Sequence, residues 1–296
     1  MTKIGIALGG GGAKGLAHIG VLEVLEENGI RPHIVAGTSI GSIIGAIYCL
    51  HGSARAMRER AREMIHSKEF KDLDLDKFYT DSNETFERFR REVFEKFYLG
   101  SLLFKKSHSK IEATRKLYND VFGEATFADC KIPFTCNALD IQSGDEVIFT
   151  SGALADAVWA SCAIPGIFPP FTAGEQVLVD GGVIDNIPVD IVEQQGAGIV
   201  IAVYLGHRPH YKGIPDTGFR INMRAQSFVR YFFDQKILAR ADCVIAPAAR
   251  DFHWADFSSL DELVEVGRRA TTENLEKIKT ITSLWFRARK FMSKRI

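Results

Sequence analysis

Ile34-Val35-Ala36-Gly37-Thr38-Ser39-Ile40-Gly41-Ser42-Ile43-Ile44-Gly45-Ala46-Ile47 is the stretch that decides the fold. Ile34–Ala36 is a short apolar run of the kind that forms a buried strand, and Ile43, Ile44 and Ile47 recur at helical spacing. Between them lies Gly37-Thr38-Ser39-Ile40-Gly41, a G-x-S-x-G turn. Glycines on both sides of such a turn relieve crowding at a strained strand-to-helix corner, so the serine hydroxyl projects above the sheet. A hydroxyl displayed in this way becomes a nucleophile once a neighbouring base takes its proton.

Towards the N-terminus, Lys3–Leu8 alternates like a strand and runs into Gly9–Gly12. Leu16, Ile19, Leu22 and Leu25 then mark a helix that should begin near Ala13 and stop at Asn28-Gly29. Strand, helix, strand, helix in this order predicts parallel strands joined by right-handed crossovers. A glycine loop at a helix start can turn backbone N–H groups and the positive end of the helix dipole towards an oxyanion. The loop also fits two nucleotide patterns. Gly10, Gly12 and Gly15 match the dinucleotide fingerprint G-x-G-x-x-G, and Lys14 follows glycines as in a Walker loop. Gly15 stands where the Walker loop needs Ser or Thr. The second strand runs into Ala36-Gly37-Thr38-Ser39 without an acid for a ribose, which weakens the dinucleotide alternative but leaves it open.

Towards the C-terminus, Ser53 to about Lys116 is highly charged with interspersed Phe, Tyr and Leu, and predicts a helical insertion. Its stripe Phe86, Phe89, Val93, Phe94 and Phe97 fits either a lid on a lipid surface or a core-facing helix. Strand pattern returns at Pro133–Asp140 and Glu146–Thr150, joined by a hairpin turn at Gln142–Asp145. Val177–Val179, Ile199–Leu205 and Cys243–Ala246 add strands, and Leu260–Lys279 reads as an amphipathic helix. The expected fold class is therefore α/β, a three-layer α/β/α domain over residues 1–280 with a mainly parallel central sheet and a helical insertion at about 53–116. Residues 281–296 form a basic amphipathic tail that suits a membrane surface, a dimer contact or solvent equally.

A base for Ser39 has one strong candidate, because Val177-Leu178-Val179-Asp180-Gly181-Gly182 puts a carboxylate at the end of a buried strand. At the carboxyl edge of a parallel sheet Asp180 would meet Ser39, although an aspartate before two glycines also serves simply to turn the chain. His207, His210 and His253 follow Asp180 in the order of a Ser-Asp-His triad. That architecture places several strands before its nucleophile, whereas Ser39 ends the second, and His207 and His210 sit in a Gly-Pro-rich loop typical of surfaces. His18 reads as a packing residue.

Bulk properties narrow the classes. Thirty-seven Lys plus Arg balance 37 Asp plus Glu over 296 residues, so no global field favours nucleic acid. Five cysteines, Cys49, Cys130, Cys136, Cys162 and Cys243, are scattered without a C-x-x-C pair, which suits reduced thiols and a cytoplasmic location better than disulfides or zinc. The first residues carry no signal-peptide pattern, and the uncharged run Ile34–Leu50 holds too many Gly, Ser and Thr for a membrane span. No metal and no cofactor are expected. Contact with the inner membrane face, through the Phe stripe or the tail, is an open variant of the cytoplasmic location.

In combination these blocks resemble the patatin-like phospholipase family. The resemblance rests on Gly10-Gly11-Gly12-Ala13-Lys14-Gly15, Gly37-Thr38-Ser39-Ile40-Gly41 and Asp180-Gly181-Gly182, with Ala160-Ser161-Cys162-Ala163-Ile164-Pro165-Gly166-Ile167-Phe168-Pro169-Pro170 preceding the aspartate. It spans about residues 4–188. It implies metal-independent hydrolysis of acyl esters in phospholipids or lysophospholipids by a Ser-Asp dyad without histidine, with Ser39 as nucleophile and Asp180 as general base. It further implies an oxyanion hole from the amides of Gly10, Gly11, Gly12 and Ile40, supported by Lys14, Gly15, Gly37, Gly41, Gly181 and Gly182. Nothing transfers to the insertion, so substrate choice is not implied. The competing class is a lipid-binding or regulatory protein that keeps the fold without useful turnover.

Overall fold

A computed structural model describes residues 2–78, 105–211 and 213–283. The Phe86–Phe97 stripe and the tail from residue 284 onward lie outside the described residues. The chain opens with β1 (Lys3–Leu8), a 3-10 turn (Gly12–Leu16), α1 (Ala17–Glu27), β2 (Ile34–Gly37) and α2 (Ile40–His51), the order expected. The helix expected near Ala13 becomes α-helical only at Ala17. Ala13 N–H is drawn to Trp254 O at 2.6 Å, a distant loop, so regular helical bonding starts a turn later.

β1 pairs in parallel with β2 and with β7 (Ala197–Val203), and β8 (Cys243–Ile245) extends β7, also in parallel. Alternate residues of β1 enter different cores. Ile6 and Leu8 pack with Leu22, Ile44, Ile47 and Leu263, whereas Ala7 packs with Ile191, Val192 and Val200. Both faces are thus covered, as parallel strands require. The first core lies under α1, α2 and α9 (Leu260–Thr282), and the second under α7 (Val189–Gln194).

β3 (Phe134–Asp140) joins two parts of the sheet that run in opposite senses. Cys136 is paired both with Gly37 of β2 and with Phe149 of β4 (Glu146–Phe149), so β2 and β4 occupy opposite edges of β3. Ala138 and Leu139 are paired both with Val147 and Glu146 of β4 and with Asp180 and Val179 of β6 (Gln176–Asp180). A residue has only two edges, so β6 must share with β2 the edge that β4 leaves open. β2 runs parallel to β3 and β6 antiparallel, which makes the two strands converge end to end along one side of it. Their last residues, Gly37 and Asp180, register with Cys136 and Ala138. Asp180 therefore lies beyond the carboxyl end of β2, where the sequence suggested it would meet Ser39, but its own strand is antiparallel to β3. It arrives from the opposite direction, in a hairpin with β5 (Phe171–Ala173).

The described part of the insertion is helical: α3 (Ala54–His66), the short α4 (Lys68–Lys71), a 3-10 turn at Leu75–Phe78 and α5 (Ile111–Phe122). Arg58 of α3 fastens it by bridging Glu23 of α1 at 3.1 Å and Asp261 of α9 at 2.8 Å. The sequence did not signal α6 (Leu154–Cys162), α7 or α8 (Gly218–Leu238). Among the described residues no helix is long and apolar enough to cross a membrane.

Candidate active site

Ser39 sits at the corner between β2 and α2 with φ 54 and ψ −128, a backbone conformation that costs a non-glycine residue on the order of 1–3 kcal/mol. The surroundings hold it there. Its N–H donates to Ser161 Oγ at 3.0 Å, and its carbonyl accepts from Ser42 Oγ at 2.6 Å. Close approach of α2 to β1 demands a glycine at 41, because a Cβ there would lie 2.1 Å from Leu8 O. Gly37 closes β2, and Gly15 packs against Ile40.

The converging strands put Asp180 against this corner. Ser39 Oγ donates to Asp180 Oδ2 at 2.6 Å, both residues being buried. Asp180 Oδ1 accepts from Gly182 N–H at 2.7 Å, within the turn that Gly181 opens. Among the described residues no histidine is hydrogen-bonded to either carboxylate oxygen. Burial pushes the Asp180 carboxyl up to about 6, partly offset by the Ser39 hydroxyl, the Gly182 N–H and the nearby Arg230 cation. At neutral pH the group is thus a carboxylate able to accept a proton. Neighbouring Cys162 is pushed up to about 12, chiefly by burial and then by Asp180, so its thiol stays protonated.

The glycine loop lies beside Ser39. A Cβ on Gly10 would fall 3.2 Å from Ser39 Cβ and 2.5 Å from Asn186 Oδ1, so a side chain there would press on the Ser39 corner and displace the Asn186 amide. Gly10 N–H already donates to Asn186 O at 3.0 Å, whereas no acceptor among the described residues takes the amides of Gly11, Gly12 or Ile40. Gly12, Ser39 and Ile40 line one apolar cavity whose walls include Met64, Leu75, Leu117, Tyr118 and Phe168. Met64, Leu75 and Leu117 belong to the insertion and the helix after it, so that segment shapes the cavity beside the hydroxyl. Lys14 is half-buried, its pKa lowered by burial and raised again by Asp251, and it also bears on His207. Its electrostatic partners, Asp251 and His207, lie in loops.

Four further residues build the site, and the sequence gave no sign of their part. Asn137 of β3 accepts from Thr38 Oγ1 at 2.8 Å and donates to Asp185 O at 3.0 Å, which fastens the Ser39 corner to the turn after Asp180. Ser161 of α6 holds the Ser39 amide. Arg230 of α8 donates to the carbonyls of Gly182 and Val183, the latter at 2.7 Å. His18 is wholly buried and its Nε2 lies 2.8 Å from Gly9 O; burial lowers its pKa to about 4, so the neutral ring donates to the loop. Asn137, Ser161 and His18 stand among mostly apolar neighbours and Arg230 is one of several cations of α8, so no spacing marks any of them. Among the described residues no group of His, Cys, Asp or Glu is arranged to hold a metal.

A family model described as Patatin-like phospholipase matches residues 6–192. Lysophospholipase nte1 of Neosartorya fischeri is 30% identical over 309 residues, covering 95% of this chain and 19% of that protein. Lysophospholipase NTE1 of Pyricularia oryzae is 30% identical over 306 residues, with 94% and 19% covered. The chain thus spans about a fifth of the length of these curated relatives.

Proposed function

The chain belongs to the patatin-like phospholipase family, and on that premise we propose that it is a serine acyl hydrolase of phospholipid or lysophospholipid esters. The observation that carries the proposal is the 2.6 Å hydrogen bond from Ser39 Oγ to Asp180 Oδ2 at a strained, buried corner. As Ser39 Oγ attacks the ester carbonyl carbon, its proton passes to Asp180 Oδ2. Charge on the carbonyl oxygen is met by the amides of Gly11, Gly12 and Ile40, which are free to turn towards it. Asp180 then returns the proton to the departing alcohol, leaving Ser39 acylated. Water enters, Asp180 takes one of its protons, and hydroxide character develops on the oxygen that attacks the acyl carbon. Collapse of the second intermediate restores the Ser39 hydroxyl with that proton and releases the fatty acid. The apolar cavity beside Ser39 suits an acyl chain.

A fluorophosphonate probe tests the assignment. Labelling of the wild-type chain that vanishes in Ser39→Ala and falls sharply in Asp180→Ala is the expected result. A folded wild type that neither labels nor hydrolyses acyl esters would instead be a binding protein.

A further inference from the structure

α8 wears its polarity inside out. Of its 21 residues only Asp234 and Leu238 are buried, and the apolar side chains Phe219, Ile221, Val229, Phe232 and Phe233 all face solvent. At 100° per residue, Ile221, Ala225, Val229, Phe232 and Phe233 fall on one stripe with Lys236 as its only charge, while Ser227, Arg230 and Asp234 turn the other way, towards the protein. A soluble surface helix has the reverse arrangement, with its apolar stripe facing the core. The loop that leads into α8 adds Ile214, which is 94% exposed, and the turn that Arg230 grips adds Val183. A patch of this extent marks a docking surface.

Charge decides what docks. α8 carries four cations (Arg220, Arg224, Arg230 and Lys236) against one acid, Asp234, which is buried beside Arg230 with Nη1 to Oδ1 at 3.9 Å; Arg220 pairs with Asp216 of the preceding loop at 3.1 Å, Arg224 lies over the Tyr211 ring, and Lys236 stands on the stripe itself. An apolar stripe that carries Lys236 and no acid complements the headgroups and outer acyl region of an anionic bilayer. Position agrees with this occupant. The chain leaves the site at Leu205, against Gly11, passes through the Ile214 loop and returns through Arg230 to the carbonyls of Gly182 and Val183, two and three residues beyond Asp180. We infer that α8 is an interfacial helix: its outer stripe seats in an anionic lipid surface and brings the Ser39–Asp180 corner to the membrane plane, where its substrates lie. This rests on the acyl-hydrolase assignment for its purpose but not for its measurement.

The test uses the full chain and the double variant Val229→Asp/Phe232→Asp, neither residue touching the site. Both proteins are sedimented with vesicles of phosphatidylcholine, with and without phosphatidylglycerol, over a range of salt. The wild type should bind the phosphatidylglycerol vesicles and release with salt. The variant should lose binding by about tenfold or more, and turnover of lipid in those vesicles with it. Its circular dichroism and its hydrolysis of a water-soluble short-chain ester should be unchanged. Vesicle binding that is absent in the wild type, or equal in the two proteins, overturns the inference. So does a wild type that sedimentation velocity shows to be a dimer and the variant to be a monomer with equal vesicle affinity, since the stripe would then belong to a second copy. Failure of both proteins on the soluble ester would refute the hydrolase instead, because vesicle binding is read without turnover.

Discussion

The parallel part of the sheet and its antiparallel end contribute to the site by opposite routes. β1 and β2 each finish in a glycine-rich turn and start a helix, so the loop and Ser39 are products of contiguous chain. β6 brings Asp180 from 141 residues further along, against the direction of β2, and pairing to β3 aligns the two. One half builds its part by local rules and the other by register. The local part tolerates little change of shape, while the distant part depends on the bonds that fix where its strand stops.

Four measurements break or sharpen this contrast. Removing the reacting group from either half should have the largest and the same effect: Ser39→Ala and Asp180→Ala should each lower kcat on an acyl ester by about 10⁴-fold or more, and the double variant should be no worse than the poorer single one. Gly10→Ala probes the local half alone. Its methyl would meet Asn186 Oδ1 and Ser39 Cβ, so the Asn186 side chain or the loop must give way, and kcat should fall by about 10²-fold while thermal melting shows the protein still folded.

Asp180→Asn probes the distant half through stability. Burial raises the carboxyl in the fold to about 6, above its unfolded value, so its contribution is full below the ordinary carboxylate range and is lost as pH rises through about 6. An amide carries no charge to desolvate. The inactive variant should therefore outlast the wild type in denaturant at pH 8 by up to about 3 kcal/mol, and the difference should close towards pH 4. The smallest effect concerns the acid limb of kcat/KM, which should fall about tenfold per unit below the Asp180 pKa. Loss of the Arg230 cation in Arg230→Gln should move that limb upward by a fraction of a unit. An unmoved limb would mean that another group sets it.

What could be read from the sequence follows the same division. Period-2 alternation in Lys3–Leu8, helical spacing in Leu16–Leu25 and the glycines around Ser39 are short-range signals, and the elements they name lie where expected. The Val177–Asp180 strand was legible too, but not its direction, because a strand's apolar run is the same read either way. Asn137 and Ser161 act through contacts 99 and 122 residues away, so no local pattern could single them out. α8 escaped notice for a different reason. Helices are found by the apolar face they bury, and this one turns that face outward.

Two strands meeting end to end on a shared neighbour also make the site a gauge of assembly. A slip of β6 by one residue along β3 would carry Asp180 about 3.3 Å and turn its side chain to the opposite face, out of reach of the hydroxyl. Recovery of catalytic turnover during refolding would then time the moment at which the last hairpin locks, a clock for sheet completion that ordinary spectroscopic probes of helix content would miss.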